Sequence, residues 1–383
     1  MYPKVYLAID NCFASKRWTS PEQWSQIISD MGVFCVEASA DTELDPLYMG
    51  RQYLADWPKA VRNAQAQYGT KVCNLYSGHG TYSTLGITHT DPRVRRNMLD
   101  NWFKPLIDTA AQLDAGVGFY AHCFTQEIIQ DAKLYKEYVN ILLDGLTELN
   151  LYAAKAGCKY LALEQMYSPN QIPFTMDGAK LILQEVTAQS GVPFYFTEDL
   201  GHHHTKFIQP TAQDIANYIQ SGKEQVWLGN SAAYEAYYAA LAHNDSSPET
   251  CKQIIAFTQQ SPQLFNNKED SDCYTWLEKM GCYSPIIHLQ QTDGTSSGHK
   301  TFTAENNRWG KIDAQKVLAA LKKSYEQPDD PNMPPKCSEI YLTLELFSGT
   351  AQTHQEILTG YRESAQYWRD AIAVDGMTLD QLI

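Results

Sequence analysis

The sequence is short of basic residues and has no long apolar run. Lysine and arginine total 30 against 44 aspartate and glutamate residues, so the 383-residue chain carries a formal net charge of −14. A large footprint on a phosphate backbone needs a basic surface, and this balance weighs against nucleic acid as a partner. No segment approaches the roughly 18 apolar residues of a membrane span, and no basic segment followed by an apolar one opens the chain. We therefore expect no membrane partner and no secretion signal.

Cysteine motifs and a dinucleotide fingerprint are also missing. The nine cysteines are scattered without any CxxC pair, and several of them, such as Cys35 and Cys73, lie inside apolar runs. This distribution is typical of buried free thiols in a reducing compartment, so we expect a cytoplasmic protein. No GxGxxG follows the first predicted strand, which weighs against a dinucleotide-binding fold. At 44% hydrophobic residues the chain can still build a sizeable core.

Short apolar runs alternate with helical patterns along the whole chain. Strands are predicted to start near residues 5, 33, 71, 117, 159, 193, 284 and 339, each followed by a polar loop and a helical segment. This alternation indicates a parallel sheet, and eight rounds in one chain favour a closed barrel over an open doubly wound sheet. The sequence therefore predicts an α/β protein, a (β/α)8 TIM barrel formed by a single domain over residues 1–383.

The interval between the sixth and seventh strands is much longer than one loop and one helix require. Segment 203–270 fills it, and apolar residues recur at helical spacing over 211–220, 230–243 and 248–260. We predict a helical insertion after strand six. It could cap the barrel mouth, form an oligomer contact or be decorative, and the sequence leaves these roles open. We expect the chain to assemble as a homo-oligomer, a dimer or a tetramer.

Four of the predicted strands end in a carboxylate or an imidazole. Glu164 follows the fifth strand, Asp199 the sixth, His288 the seventh and Glu345 the eighth. The carboxyl ends of barrel strands open on one face, so these groups should converge. Burying four ionisable groups without a metal would be costly, and three oxygens with one nitrogen suit a hard or borderline divalent cation. We predict that these four residues bind one such ion.

Three histidines lie near the same predicted face. His202 comes three residues after Asp199, while His79 and His122 stand at the ends of the third and fourth strands. A hydrogen-bonded structural role explains each of them as well as a substrate contact does. We include all three among the candidate substrate-binding residues.

The two glutamates of the predicted metal site suggest a reaction. In an aldose–ketose or ketose–ketose conversion a proton leaves a carbon next to a carbonyl, and a metal that binds the carbonyl and the neighbouring hydroxyl stabilises the enediolate. A carboxylate on one face takes the proton, and a second carboxylate on the other face, or the first again, returns it. Glu164 and Glu345 follow the fifth and eighth strands and approach the mouth from opposite sides. We assign them as the catalytic acid–base pair.

These motifs resemble those of the xylose-isomerase-like superfamily of sugar and sugar-phosphate isomerases and epimerases, which includes ketose 3-epimerases. The matching segments are LALEQMYSP with Glu164, FTEDLGHH with Asp199 and His202, IIHLQQTDG with His288, and YLTLELF with Glu345. The resemblance implies a TIM-barrel isomerase acting on a small sugar or sugar phosphate. It also implies that the four ligands bind Mn²⁺, Co²⁺ or Mg²⁺, with Zn²⁺ as a further candidate. In that family the two glutamates double as the acid–base pair, and the histidine after strand six contacts the substrate.

The sequence departs from ketose 3-epimerases at two positions that normally hold substrate hydroxyls. Those enzymes carry a glutamate six residues after the fifth-strand glutamate, where this chain has Asn170. They carry an arginine six residues after the seventh-strand histidine, where this chain has Gly294. The resemblance therefore implies a substrate that is not bound in the standard ketohexose manner.

Two other enzyme functions and one binding function stay open. Some members of the superfamily eliminate or cleave keto-sugar derivatives, so a metal-dependent lyase or deglycosidase is the first alternative. An endonuclease IV-like phosphodiesterase with three zinc ions would suit His79 and His122, but its Asp-x-His motif is absent after His288 and the net charge opposes DNA binding. Metal content separates the classes: near one ion per chain for the isomerase, near three zinc ions for the nuclease, and none for a non-enzymatic binding module.

Overall fold

Eight parallel strands form a closed barrel in the computed structural model, which describes residues 2–78, 86–121 and 124–383. Each strand pairs with the next along the chain, and β8 pairs with β1, which closes the sheet. A short ninth strand runs antiparallel to β1. The predicted (β/α)8 barrel is confirmed. The strands are β1 Lys4–Asp10, β2 Cys35–Ser39, β3 Lys71–Ser77, β4 Gly116–Phe119, β5 Leu161–Glu164, β6 Tyr195–Asp199, β7 Ile286–Leu289, β8 Glu339–Leu344 and β9 Met377–Thr378.

Helices connect the strands around the outside of the barrel. They are α1 Pro21–Ser29, α2 Arg51–Tyr68, α3 Pro92–Met98, α4 Lys104–Ala111, α5 Gln126–Gln130, α6 Ala132–Ala156, α7 Met176–Ser190, α8 Ala212–Gln220, α9 Ser231–Ala242, α10 Pro248–Thr258, α11 Cys273–Met280, α12 Ala314–Glu326 and α13 His354–Arg369. Within the described residues no helix combines the length and the apolarity that crossing a bilayer requires. Every cysteine in this part of the chain is a free thiol.

The strands are recognisable in the sequence because the barrel buries both of their faces. Strands β4, β5 and β7 are buried at every residue, and such strands read as short continuous apolar runs. The predicted strand starts lie within two residues of the observed ones.

Helix boundaries depend on caps that the hydrophobic pattern does not reveal. Helices α5 and α6 are separated at Asp131, whose carboxylate accepts hydrogen bonds from the backbone N–H groups of Lys133 and Leu134. An extended residue that caps the following turn ends one helix and starts another. Between α3 and α4 the chain forms a π-helical turn, Leu99–Phe103.

Aromatic side chains fill the end of the barrel where the strands begin. Tyr160, Tyr341, Tyr6 and Tyr195 belong to one cluster there, and the rings of Tyr6 and Tyr341 stack with centroids 5.0 Å apart. The ring of Tyr160 occupies the space that a side chain at Gly116 would need. The ionisable residues at the ends of β5, β6 and β7 lie at the opposite end, where the strands run into their loops.

The segment between β6 and β7 has a small core of its own. Helices α8, α9 and α10 lie within it and surround a cluster that is distinct from the barrel core. Its fully or almost fully buried members are Ile215, Ile219, Leu228, Ala233, Tyr237, Ala240, Cys251 and Ile254. Because this cluster is separate, we expect the segment to unfold locally while the barrel stays folded.

We therefore expect Ile254→Ala to destabilise the inserted helices and not the barrel. Truncating a buried isoleucine costs about 2–5 kcal/mol, and Ile254 is fully buried in the separate cluster. Hydrogen exchange should accelerate over 212–258 while the barrel strands keep their protection. The matched control is Ile340→Ala, equally buried in the barrel core, which should lower protection throughout the strands. If both variants accelerate the same amides, the segment and the barrel share one cooperative unit.

Candidate metal centre and active site

The four predicted ligands meet at the open end of the barrel. Glu164 and Asp199 are the last residues of β5 and β6, His288 lies in β7, and Glu345 follows β8 directly. The backbone N–H of Glu345 bonds to the carbonyl oxygen of Leu289, which continues the β7–β8 ladder to the site. All four ligands are buried, and one donor atom from each lies within 4.8 Å of the others. Four separate strands therefore deliver three carboxylates and an imidazole to one place.

The imidazole of His288 stands in the middle of these carboxylates. Its Nδ1 lies 3.2 Å from Glu164 Oε1, 3.3 Å from Glu345 Oε2 and 3.9 Å from Asp199 Oδ2. Its Nε2 lies 3.0 Å from Glu37 Oε2. Burial alone would lower the pKa of His288, but the carboxylates of Glu345 and Glu37 outweigh burial and raise this pKa well above its usual value. In this environment Nδ1 faces a site that favours positive charge.

Glu37 is a buried partner of His288 that the strand-end motifs do not include. It is fully buried in β2, and its Oε1 accepts a hydrogen bond of 2.6 Å from Asn74 Nδ2. Burial is the main cause that raises the pKa of Glu37. A carboxylate that holds the outer nitrogen of a metal-binding histidine fixes the ring orientation and tautomer. The sequence offered one signal, a single charged residue inside an otherwise apolar strand.

The glutamates of the site differ in their partners. The phenol of Tyr76 donates a hydrogen bond to Glu164 Oε2. Glu345 Oε2 is buried and has no hydrogen-bond partner among the described residues. Burial, followed by the charges of Asp199 and Glu164, raises the pKa of Glu345 well above its usual value. A buried oxygen without a donor among like charges is the environment in which a divalent cation stabilises a carboxylate, so the residues present fit a metal ion.

Asp199 is held as an ionised group. Its carboxylate accepts hydrogen bonds from the backbone N–H of Gly201 at 2.6 Å and from Gln290 Nε2 at 2.9 and 3.0 Å. Burial opposes ionisation, but the neighbouring histidines His202, His299 and His288 outweigh it and lower the pKa of Asp199 to about 2. Both oxygens therefore remain available as anionic donors at neutral pH.

Of the three predicted substrate-binding histidines, the structure describes one. His202 Nδ1 lies 2.8 Å from the carbonyl oxygen of Gln165, and its Nε2 lies 3.5 Å from Asp199 Oδ2. The ring of Tyr167 packs edge-on against it at 4.7 Å. His202 is thus fixed beside the four ligands, whereas His79 and His122 lie outside the described residues.

A further histidine, His299, reaches the site from the loop after β7. Its Nδ1 lies 3.4 Å from Glu345 Oε2, and one of its ring nitrogens forms a second potential cation-binding group with Asp199 and His202. His299 lies outside the strand-end motifs. It stands in a polar loop segment, SSGHK, without an adjacent apolar run that would mark it as buried.

The two residues that depart from the ketose 3-epimerase pattern, Asn170 and Gly294, each lie against another part of the chain. Asn170 Nδ2 donates to the carbonyl oxygen of Phe124 at 3.0 Å, which ties the loop after β5 to the loop after β4. Gly294 has a left-handed backbone with φ of 82°. The ammonium group of Lys311 occupies the space that a side chain at Gly294 would enter. An arginine at this position would strain the backbone and would require the end of the Lys311 side chain to move.

Comparison with known proteins agrees with the strand-end motifs. No family model matches the sequence. The curated D-erythrulose 1-phosphate 3-epimerase of Brucella abortus (strain 2308) is 23% identical over 321 residues, which cover 83% of this chain and 79% of that protein. A candidate xylose isomerase from Rhodospirillum rubrum has a TM-score of 0.67 at 17% identity and covers 96% of this chain and 99% of its own. The IolI protein, solved with a zinc atom, has a TM-score of 0.50 at 14% identity, with 95% of this chain and 98% of that one covered.

The similarities extend over most of the chain, and the solved structures share its barrel along nearly their whole length. Identities this low establish the fold, while the curated relative supports an enzyme of the isomerase class. The fold that this resemblance implied is confirmed: the chain folds as a TIM barrel similar to those of proteins named as a xylose isomerase and IolI.

Proposed function

We propose that the protein is a divalent-metal-dependent epimerase or isomerase of a small keto-sugar or its phosphate. The observation that carries this proposal is the convergence of Glu164, Asp199, His288 and Glu345 at the barrel mouth. The curated relative is named for D-erythrulose 1-phosphate and for reaction at carbon 3. A short ketose phosphate is therefore the first substrate class to test.

The four converging residues would hold the metal ion. When bound, the ion supplies a Lewis acid that polarises the carbonyl and stabilises the charge that develops as the proton leaves. Three oxygens and one nitrogen suit Mn²⁺, Co²⁺ or Mg²⁺. Zn²⁺ belongs in the same tests because IolI, which shares the fold, was solved with zinc.

Glu37 prepares His288 for this role. By accepting the Nε2–H hydrogen bond at 3.0 Å, it leaves the lone pair of Nδ1 directed toward the three carboxylates. Asn74 in turn holds the other oxygen of Glu37. The ring thus reaches the site with one tautomer and one orientation, which reduces the reorganisation needed on binding.

Glu164 and Glu345 are the groups that move the proton. They stand on β5 and directly after β8, so they reach the space above the ligands from two sides. The hydrogen bond from Tyr76 fixes the carboxylate of Glu164, and burial raises the pKa of Glu345, which makes it a stronger base than an exposed glutamate. Asp199 contributes charge, since its pKa is too low for an efficient base.

Assembly and location complete the proposal. The free thiols fit a reducing compartment, and we place the protein in the cytoplasm as a homo-oligomer. The segment 203–270 begins next to His202 and builds its own core, which suits a cap over the mouth or a contact between subunits.

The proposed function predicts metal-dependent hydrogen exchange at the carbon next to the carbonyl. The protein loaded with Mn²⁺, Co²⁺, Mg²⁺ or Zn²⁺ is incubated in D₂O with D-erythrulose 1-phosphate, other ketose phosphates and free ketoses, and NMR follows deuterium incorporation and new isomers. EDTA-treated protein is the control and should be inactive. Loss of a substituent in place of exchange would identify a lyase. The isomerase proposal fails if no sugar exchanges or isomerises with any metal.

Metal binding should depend on Asp199 and not on its equally buried neighbour. Asp199→Asn removes an anionic donor and should lose most bound Mn²⁺, whereas Glu198→Gln should retain one ion per chain. Glu198 is a matched control because it is also fully buried in β6 but points to the other face of the strand, where its closest ring nitrogen is His203 Nε2 at 3.9 Å. Glu37→Ala should weaken Mn²⁺ binding about 10–100-fold, the usual effect of losing such a supporting group.

Elemental analysis and calorimetric titration measure these affinities, and circular dichroism checks the fold. Full Mn²⁺ content in Asp199→Asn would exclude Asp199 as a ligand. Equal losses in Asp199→Asn and Glu198→Gln would mean that the effect is on stability and not on coordination.

Glu164→Gln and Glu345→Gln should each reduce turnover by at least the roughly 10²–10⁴-fold credited to general acid–base catalysis. Glutamine keeps the size and one potential donor oxygen but cannot take the proton. In a two-base mechanism either variant should still exchange hydrogen with solvent while net epimerisation stops. In a one-base mechanism one variant should abolish both hydrogen exchange and epimerisation, and the other variant should abolish neither. Wild-type rates in both metal-loaded variants would show that these residues are not the bases.

A further inference from the structure

His299 holds a backbone conformation that a histidine rarely adopts. Its φ is 44°, in the left-handed region where most side chains are strained. Residues persist in this region only when their surroundings fix them, and such residues cluster at functional sites. The contacts that fix His299 in this conformation therefore bear on its function.

Three contacts hold the residue in place. The side-chain carbonyl of Gln290 accepts the backbone N–H of His299 at 2.7 Å, and Ser297 Oγ lies 3.0 Å from His299 Nε2. The ring of Phe347 stacks face to face on the imidazole, with centroids 3.6 Å apart and planes 5° from parallel. The amide of Gln290 also binds both oxygens of Asp199. One side chain thus places His299 and a metal ligand together.

The fixed imidazole points its other nitrogen at Glu345. Nδ1 lies 3.2 Å from the backbone carbonyl oxygen of Glu345 and 3.4 Å from Oε2 of the same residue. A carbonyl oxygen only accepts hydrogen bonds, so this contact requires a proton on Nδ1. The same N–H lies next to the carboxylate oxygen Oε2, which has no hydrogen-bond partner among the described residues.

We propose that His299 is a positioning residue for the proton transfer by Glu345. Its Nδ1–H, donated to the backbone carbonyl of Glu345, fixes the imidazole 3.4 Å from Oε2 and so limits the directions in which the carboxylate can face the substrate. This inference rests on the proposed function, in which Glu345 is one of two bases. It assigns a role to a residue outside the four strand-end motifs, and it explains why the loop after β7 accepts a strained histidine.

The first test reads the contact itself and needs no substrate. Long-range ¹H–¹⁵N correlation spectra of the Mg²⁺-loaded protein should show His299 as the tautomer with the proton on Nδ1. Mn²⁺ titration should give one ion per chain for wild type and for His299→Ala, with affinities within about threefold. A proton on Nε2 would overturn the proposal. So would a stoichiometry that falls from two ions to one in the variant, because His299 would then be a ligand of a second cation.

The second test compares three variants on the substrate found by the D₂O screen. His299→Ala should lower kcat for net epimerisation about 10–100-fold, the scale expected when a catalytic group is misplaced by about 1 Å, with little change in KM. Hydrogen exchange through Glu164 should fall much less than net epimerisation. His299→Asn should restore most of kcat, since its amide nitrogen can occupy the position of Nδ1 and asparagine tolerates the left-handed backbone.

His204→Ala is the matched control. It removes an imidazole from the neighbouring loop, where the ring packs on Tyr167, and it should leave kcat unchanged. Equal kcat in His299→Ala and wild type would overturn the positioning role but not the proposed function. Equal losses of hydrogen exchange and epimerisation in His299→Ala, without rescue in His299→Asn, would also overturn the positioning role. If wild type exchanges no ketose at all, the proposed function fails and the catalytic role of His299 fails with it.

Discussion

The crowding of carboxylates at the barrel mouth is the constraint on which the rest of the site depends. Glu164, Asp199 and Glu345 are fixed by three strands of a closed sheet, so they cannot move apart to reduce their repulsion. Burial removes the water that would otherwise stabilise them. Nδ1 of His288 lies between them, and the carboxylate of Glu37 contacts the other ring nitrogen, Nε2. A divalent cation bound between these carboxylates would reduce their repulsion.

Residues outside the group of four converging side chains orient the carboxylates of the site through hydrogen bonds. Asn74 acts on Glu37, Tyr76 on Glu164, and Gln290 on Asp199. Each is buried, and each uses a hydrogen bond to select one orientation of a carboxylate. Such contacts reduce the freedom that ligand side chains would otherwise lose on binding, and they make the geometry of the site a property of the barrel as a whole.

Site residues at strand ends could be predicted from the sequence, whereas residues whose role depends on a side-chain partner could not. Glu164, Asp199, His288 and Glu345 could be found because a strand end in a parallel barrel has a known location. Glu37 lies inside a strand, and its partner is 251 residues away along the chain. His299 depends on a left-handed backbone within a loop, which no hydrophobic pattern encodes. The break between α5 and α6 at Asp131 has a similar cause, since a single side-chain cap decides it.

The tyrosines that fill the base of the barrel make it a vessel with a single opening. The rings of Tyr6, Tyr160 and Tyr341 pack together at this end. On the proposed function, an ion and a sugar would both enter at the opposite end. A bound sugar would then slow the release of an ion held by the four strand-end residues, so the shape of the barrel would help to retain the metal.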